Sequence, residues 1–253
     1  MELEKRGMKA TDGNSGGLIL EPDWIREALK APLPGNAAHM RMSGRTPQTM
    51  EIPEGAAEAA VMIAFLDQSL EREHRLKEFH DSQTNTGDRN EAESYMVHSG
   101  NPGLFPLILR PGNQGPHSGQ ISLPGGKREA NESLEETALR ETEEEIGLNA
   151  TEIQVLGSLT PLYIPVSGFA VYPYVGWYSR SPEFKRDPLE VDEILFYDML
   201  RLSHPDYRTV YDFSYNGRQF QSPGFRLDNR IIWGATAMIL MELTEHLLSR
   251  ANR

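Results

Sequence analysis

The chain has 253 residues, of which 38% are hydrophobic, and this length allows one sizeable α/β core with additions or two small domains. Its formal net charge of −12 argues against general binding to nucleic acid or to an anionic membrane, because both are polyanions. Cysteine is absent, which excludes disulfide and thiolate chemistry. The amino terminus lacks a signal-peptide pattern and the longest apolar run, 59–66, is too short to span a bilayer, so we expect a soluble cytoplasmic protein.

The first third of the chain contains two predicted elements and two irregular segments. Residues 1–20 have a composition typical of disorder, and Pro22–Leu29 predicts a short helix. The segment 36–53 has no clear period, and His39, Arg41 and Arg45 within it are interpreted as exposed loop residues, with contact of Arg41 or Arg45 to a substrate phosphate as the alternative. The apolar run 59–66 predicts a buried central strand, with 105–109 as its partner.

An insertion is expected over 67–103, between these two strands. It is rich in charged and small polar residues, and its histidines, His74, His80 and His98, show no ligand spacing. We therefore predict a mobile hairpin tip or a short charged helix there, and no metal site.

A turn and a helix follow. Ile121 and Leu123 suggest the end of a strand, and Gly125 and Gly126 give the backbone freedom to turn or to approach a ligand closely. A helix is predicted from about Asn131, capped by Asn131 or Ser133, with a stop at Gly147.

The last part of the chain alternates between predicted strands and helices. Strands are predicted over 152–159, 169–178 and 191–197, then a short helix through Leu202, a hairpin turning at Asn216 and Gly217, and a terminal helix over 231–248. The stiff loop 160–168 carries Tyr163, which either stacks on a nucleobase or covers the core. Interleaved strands and helices predict a single α/β/α sandwich over 21–253.

The predicted helix carries more carboxylates than folding explains. Glu141, Glu144 and Glu145 stand at i, i+3 and i+4, so they share one arc of the helix and repel one another. A divalent cation reverses this repulsion, and Mg²⁺ prefers carboxylate, water and phosphate oxygens. The alternative is a solvated acidic face in which Arg140 pairs with Glu136 and Glu144.

The spacing of these residues resembles the Nudix box, G-x5-E-x7-R-E-U-x-E-E-x-G-U, in which U is bulky and aliphatic. Eight positions agree, and Thr142 replaces the first aliphatic residue, a change of similar shape. The matching residues are Gly126, Glu132, Arg140, Glu141, Glu144, Glu145, Gly147 and Leu148. Chance matches over so many fixed positions are rare, so we expect a Nudix-type α/β/α sandwich with a mixed sheet, an N-terminal helical extension and a C-terminal packed helix.

The resemblance also implies an activity and roles for residues. Nudix enzymes hydrolyse a nucleoside diphosphate linked to another moiety, with Mg²⁺ or Mn²⁺. By position in the motif, Glu141 and Glu145 are the principal metal ligands, Glu144 shares the metal or acts as base, and the carbonyl of Gly126 is an extra ligand. Arg140 orients Glu144, and Glu132 braces the turn by pairing with Arg140. The base of this superfamily also occurs outside the box, where Glu190 and Glu193 are rival candidates with an ordinary strand-edge interpretation.

The segment before the box resembles the coenzyme A pyrophosphatase branch of the family. Arg110, His117, Gly119 and Gln120 match its outline of a strand-borne arginine followed by H-x-G-Q-(V/I)-x-(F/L)-P-G-G. The branch implies substrate contacts for Arg110, His117 and Gln120, hydrolysis of coenzyme A or its acyl form to 3′,5′-ADP and a 4′-phosphopantetheine, and a homodimer. The loop 111–116 departs from the branch because it lacks the usual Arg, Lys and Ser, which weakens the case for a 3′-phosphate site.

Two alternatives stay open. One is a Nudix hydrolase for ADP-ribose, a dinucleotide such as NADH, or a nucleotide sugar. The other is a Nudix-fold regulator that binds nucleotides without catalysis, although the repulsive set of Glu141, Glu144 and Glu145 argues against a pure binding module.

Overall fold

The structure is a computed structural model, and it describes residues 20–43, 50–67, 103–112, 118–215 and 217–251. The described residues do not include most of the segment 1–20, for which disorder is expected, or almost all of the 67–103 insertion. Arg45 and His117 also lie outside them. Leu20, at the end of the first segment, is buried in the core. The single domain over 21–253 stays a prediction.

A five-stranded mixed sheet forms the centre of the molecule. Its main path runs β4 (Gly125–Lys127), β1 (Ala57–Leu66), β7 (Phe169–Tyr178) and β5 (Ile153–Ser158), and β6 (Leu162–Ile164) also pairs with β7. β1 and β7 are parallel from end to end, and the other pairs are antiparallel. The predicted loop 160–168 therefore contains a short strand, because 162–164 extends the edge of β7.

The central strand β1 is buried on both faces, as its apolar sequence predicts. Ile63 and Phe65 point into one core with the C-terminal helix α5 (Gly234–Ala251), whereas Met62 and Ala64 point into the other. The helix α3 (Leu134–Ile146) contributes Ala138 and Ile146 to that second core. Helices thus cover both faces of the sheet, which is the predicted α/β/α sandwich with a packed C-terminal helix.

A second sheet contains β2 (Leu104–Leu109) between β3 (Ile121–Ser122) and β8 (Glu193–Asp198). The prediction that 105–109 pairs with 59–66 is wrong, because β2 pairs with β3 and β8 instead. Hydrophobic sequence identified both strands as buried but carried no information on which edges meet. The short helix α4 (Met199–Ser203) follows β8, as predicted.

A third, antiparallel sheet consists of β9 (Arg208–Tyr215), β10 (Arg218–Leu227) and β11 (Arg230–Trp233). β9 and β10 form the predicted hairpin, with Tyr215 opposite Arg218, and Asn216 of its turn lies outside the described residues. The prediction of one helix over 231–248 is wrong at its start, because Arg230–Trp233 is a strand and α5 begins at Gly234. Asp228 and Gly234 have positive φ values of 54° and 66°, so a tight turn and a sharp break bound a strand too short to show its period.

The N-terminal helices α1 (Pro22–Leu29) and α2 (Asn36–His39) pack against α5, and a 3₁₀ turn, Met40–Met42, follows. The interpretation of His39 as an exposed loop residue is wrong, because its ring is fully buried and lies 3.1 Å from Glu242 of α5. Glu242 also accepts hydrogen bonds from the backbone of Gly35 and from both the backbone and the hydroxyl of Thr160. A buried carboxylate with these donors ties the N-terminal extension to the sandwich.

Within the described ranges, none of the helices combines the length and apolarity needed to cross a bilayer.

Candidate active site

The carboxylate-rich helix α3 begins with a complete capping box. The hydroxyl of Ser133 accepts from the backbone of Glu136, and the Glu136 carboxylate accepts from the backbone of Ser133. Asn131 lies outside the helix, at a φ of 71°. Gly147 ends the helix at a φ of 78° and donates its N–H to the carbonyl of Glu143, so the predicted stop is confirmed.

The last turn of α3 is acidic and contains no basic residue. Carboxylates near a helix C-terminus oppose the helix dipole, so this turn does not serve the stability of the helix. Its most buried member is Glu145, whose side chain is 1% exposed. Its Oε2 accepts a hydrogen bond of 2.8 Å from the N–H of Gly125.

The other oxygen of Glu145, Oε1, is buried and accepts no hydrogen bond from any described residue. Its nearest cation is Arg110, whose Nη2 lies 3.6 Å away. The pKa of Glu145 is raised to about 8, first by burial and also by the charges of Glu141 and Glu190, against the lowering effect of Arg110 and the Gly125 N–H. An unpartnered buried carboxylate oxygen requires an explanation, and a bound cation supplies one.

Gly125 and Gly126 allow the backbone to pass directly beside the carboxylates. A Cβ on Gly125 would lie 2.3 Å from the carbonyl oxygen of Ala60. A Cβ on Gly126 would lie 2.4 Å from the carboxylate carbon of Glu141. Both positions therefore require glycine, and the backbone of Gly126 forms one wall of the carboxylate site.

Three carboxylates converge at this wall. Glu141, Glu145 and Glu190 each place one oxygen within 4.8 Å of the others. Glu141 is mostly buried and Glu190 is exposed. The pKa of Glu141 is raised, first by burial and then by Glu144 and Glu190, whereas Arg140 lowers it. Removing charge from this cluster, or adding a cation, would relieve the repulsion.

Arg140 holds the box together on the other side of the helix. It contacts both oxygens of Glu132, at 2.9 and 3.1 Å, as the resemblance implies, and these contacts lower the pKa of Glu132 to about 2. The same guanidinium donates to Glu141 at 2.9 Å and to Glu144 at 2.8 Å. It forms no recorded contact with Glu136, whose carboxylate serves the capping box.

Glu144 occupies a different place from the converging carboxylates. Its side chain is 59% exposed, bonded to Arg140 and outside the cluster of Glu141, Glu145 and Glu190. The roles suggested for Glu144, metal sharing or general base, stay predictions. The rival candidate Glu193 instead pairs with Arg230 at 2.7 Å.

Glu190 reaches the cluster because its loop is fastened to the end of α3. The N–H of Lys185 donates to the carbonyl of Ile146, and the N–H of Asp187 donates to the carbonyl of Glu145. A Cβ on Gly147 would lie 2.7 Å from the backbone nitrogen of Lys185. Gly147 therefore both ends the helix and leaves room for the loop that carries Glu190.

The residues present fit a divalent cation of the Mg²⁺ or Mn²⁺ class. The cluster supplies hard oxygen donors, one of them buried and unbonded, and the close approach of Gly126 adds a backbone wall. Arg110 and Arg140 do not neutralise the three carboxylates, because Arg140 also pairs with Glu132 and Glu144. The structure thus supports the sequence argument that the acidic arc is more than a solvated face.

A cavity of about 950 Å³ opens from this site. Arg110 and Gln120 line it beside Gly125 and Gly126, as expected for substrate-binding residues. Arg110 is held by donating to the hydroxyl of Ser122 and to the carbonyl of Gly125. Tyr163 is not among the cavity-lining residues of the described chain, whereas its neighbour Ile164 is.

The cavity also carries a feature that sequence analysis missed. Tyr211, Phe213, Phe220 and Trp233, here called the aromatic wall, line the cavity from the β9–β10–β11 sheet. Their rings contact one another at centroid distances of 4.7 to 6.1 Å. Alternation in 211–213 gave a weak signal for a shared face, but the assignment of Trp233 to a helix hid its place in the sheet.

Comparison with known proteins identifies the family. A model of the NUDIX domain matches residues 100–206. A relative from Yersinia enterocolitica, described as an uncharacterized Nudix hydrolase, NudL, is 35% identical over 158 residues, covering 57% of this chain and 79% of the relative. The NudL of Yersinia pestis strain Pestoides F is 34% identical, covering 57% and 77%.

Solved structures give weaker likenesses. A MutT/nudix family protein from Enterococcus faecalis is 14% identical with a TM-score of 0.45, covering 90% of this chain and 73% of that one. The MutT protein from Methanosarcina mazei Go1 is 14% identical with a TM-score of 0.43, covering 78% and 96%. The assignment rests on the sequence relatives, which are 34 to 35% identical to this chain over the matched region and are matched over 77 to 79% of their own length. The chain belongs to the Nudix hydrolase family and is a pyrophosphohydrolase.

Proposed function

We propose that the protein hydrolyses the diphosphate linkage of coenzyme A or acyl-coenzyme A, giving 3′,5′-ADP and 4′-phosphopantetheine or its acyl form. The observation that supports hydrolysis most directly is the convergence of Glu141, Glu145 and Glu190 within 4.8 Å, with a buried unbonded oxygen on Glu145. The choice of substrate rests on the branch outline carried by Arg110, Gly119 and Gln120.

In this proposal Glu141, Glu145 and the carbonyl of Gly126 hold Mg²⁺ or Mn²⁺. A bound ion would withdraw charge from the diphosphate oxygens and lower the pKa of a coordinated water towards neutrality. Arg110 points its guanidinium into the cavity beside Gly125, where it would contact the diphosphate and orient it for attack. Arg140 fixes the carboxylate of Glu141, so that side chain does not have to reorganise during the reaction.

Glu190, rather than Glu144, is the carboxylate that we propose as the general base. It stands at the exposed side of the cluster, where water enters, and its loop is fixed to α3 through Asp187. A base must lie within hydrogen-bond reach of the proton it accepts. Glu190 is a carboxylate outside the Nudix box, and one of its oxygens lies within 4.8 Å of those of Glu141 and Glu145. Glu144 is bonded to Arg140 and is not a member of the group of converging oxygens.

A product assay tests the proposal. The purified chain is incubated with coenzyme A, acyl-coenzyme A, ADP-ribose or NADH, with Mg²⁺ or Mn²⁺ and with a chelator, and products are separated by chromatography. We expect 3′,5′-ADP from the first two compounds, only when metal is present. Turnover of ADP-ribose alone would overturn the substrate, and no turnover of any compound would overturn the activity.

Two variants test the base. Glu190→Gln should reduce kcat by about 10² to 10⁴, the usual contribution of a general base, with little change in KM. Glu144→Gln serves as the comparison, with a smaller expected loss because its contact is with Arg140. A larger loss in Glu144→Gln than in Glu190→Gln would return the role to the box residue. A homodimer and a cytoplasmic location stay predictions.

A further inference from the structure

The aromatic wall is ordered independently of any ligand. Phe213 and Phe220 lie directly opposite each other in the pairing of β9 with β10, and their ring centroids are 5.6 Å apart. Trp233 of the third strand lies 4.7 Å from Phe213 and 5.0 Å from Tyr211. A surface already held by its own ring contacts loses little side-chain freedom when a ligand covers it.

The wall shares one cavity with the diphosphate end of the site. That cavity, of about 950 Å³, is at the upper end of the range for small-molecule sites. Its described cationic lining residues are Arg110 and Lys127, which belong to the end beside Gly126. Among the described residues, β9, β10 and β11 add the acidic Asp212 and no cation to the lining, so a phosphate is disfavoured there and the occupant is an uncharged part of the ligand.

Two of the side chains at this end are uncovered. Phe220 is 41% exposed and Val166, on the β6–β7 connection, is 52% exposed, and both line the cavity. Met42 and Met238 also line it, and methionine adapts its shape to a flexible apolar partner. Exposed apolar side chains that line one cavity indicate a ligand that removes them from water.

We propose that the aromatic wall, together with Val166, binds an aliphatic chain on the moiety beyond the diphosphate. This inference rests on the proposed function, since the diphosphate end fixes which part of the substrate reaches the wall. A hydrocarbon chain needs no polar partner, whereas a nucleobase has polar edges that require them, and the polar Asp212 and Gln221 beside the rings hydrogen-bond each other at 2.9 Å. The wall is thus a specificity-determining surface that selects acylated over unacylated substrates.

Chain-length dependence tests the proposal. The relative kcat/KM of coenzyme A, butanoyl-coenzyme A and octanoyl-coenzyme A is measured for the wild type, Phe220→Ala, Val166→Ser and Val210→Ala. Val210 is a matched control, because it is 54% exposed and adjacent to Tyr211 but does not line the cavity. Each newly buried methylene strengthens binding about fourfold, so we expect octanoyl-coenzyme A to exceed coenzyme A at least tenfold in the wild type.

The ratio of kcat/KM for octanoyl-coenzyme A to that for coenzyme A should fall about tenfold in Phe220→Ala and in Val166→Ser. In Val210→Ala it should remain unchanged. Circular dichroism tests whether each variant is folded. If Phe220→Ala does not fold, Val166→Ser still tests the proposal. A wild-type ratio near one, or an equal loss for coenzyme A and octanoyl-coenzyme A, would overturn the wall as a chain-binding surface.

Equilibrium binding separates this proposal from the proposed function. The affinities of octanoyl-coenzyme A and coenzyme A are measured by calorimetry in the presence of a chelator, so that binding is observed without hydrolysis. Chain-dependent affinity that is lost in Phe220→Ala, without turnover of either compound when metal is added, would support the wall and overturn the activity. Turnover of both compounds with equal affinities would support the activity and overturn the wall.

Discussion

Glu145→Gln should stabilise the metal-free protein while abolishing its activity. Glu145 is buried, and its pKa rises from 4.5 to about 8 on folding, so the unfolded chain loses a proton that the folded chain keeps. For a carboxyl group with a raised folded pKa, stability is highest below pH 4.5 and declines as pH rises towards 8. Glutamine has no proton to lose and can still accept the hydrogen bond from Gly125.

The size of this effect follows from the shift. Each pH unit between 4.5 and 8 removes about 1.4 kcal/mol from the wild type, so the advantage of Glu145→Gln should reach about 3 kcal/mol at pH 7 and level off above pH 8. Activity should fall by at least 10³ with Mg²⁺, because the variant lacks a carboxylate of the metal cluster.

Urea unfolding in EDTA at pH 5.5, 6.5 and 7.5 measures the stability difference. Glu143→Gln is the control, since Glu143 is an exposed carboxylate on the same helix and outside the cluster. The control should parallel the wild type at every pH. If Glu145→Gln also parallels the wild type, or keeps full activity, the buried carboxylate is not the metal ligand that we propose.

Two further substitutions test the packing around the site. Gly126→Ala should lower Mn²⁺ affinity at least tenfold in calorimetry, because its Cβ would lie 2.4 Å from the carboxylate carbon of Glu141. Gly112→Ala is the control and should not change the affinity, because a Cβ there has nothing within 4 Å. Equal affinities of the two variants would contradict a glycine requirement at Gly126. Glu242→Ala should lower the free energy of unfolding by about 3 to 5 kcal/mol in urea, because it removes the buried partner of His39 and the acceptor of both Thr160 donors. A loss below 1 kcal/mol would show that water replaces the carboxylate.

The parts of the site that sequence predicts are those that local geometry determines. The 3.6-residue period places Glu141 and Glu145 on one arc, and it also places Arg140 where it meets Glu144 four residues later. The turn at Gly125 and Gly126 is equally local. These features need only the helix and the strand before it, so spacing along the chain was sufficient.

Long-range contacts explain the errors. His39 was assigned to the surface because histidine in an aperiodic segment is usually exposed, yet its partner Glu242 lies 203 positions away. The strand 105–109 was recognised by its composition, but strand pairing depends on edges that composition does not encode. The apolar sequence runs from Trp233 into α5 without interruption and therefore predicts one helix. The break at Gly234 is a change of backbone conformation that this pattern does not show.

The position of Glu190 shows how the local and the long-range parts join. Its loop reaches the cluster through backbone hydrogen bonds from Lys185 and Asp187 to the last carbonyls of α3, which a helix leaves unpaired. Gly147 makes this contact possible, since any side chain there would collide with Lys185. The box glycine thus does more than stop the helix, because the end of α3 also serves as the docking surface for the third carboxylate. Gly147→Ala should therefore lower kcat as Glu190→Gln does, because it displaces the proposed base, even though the substituted residue touches no carboxylate.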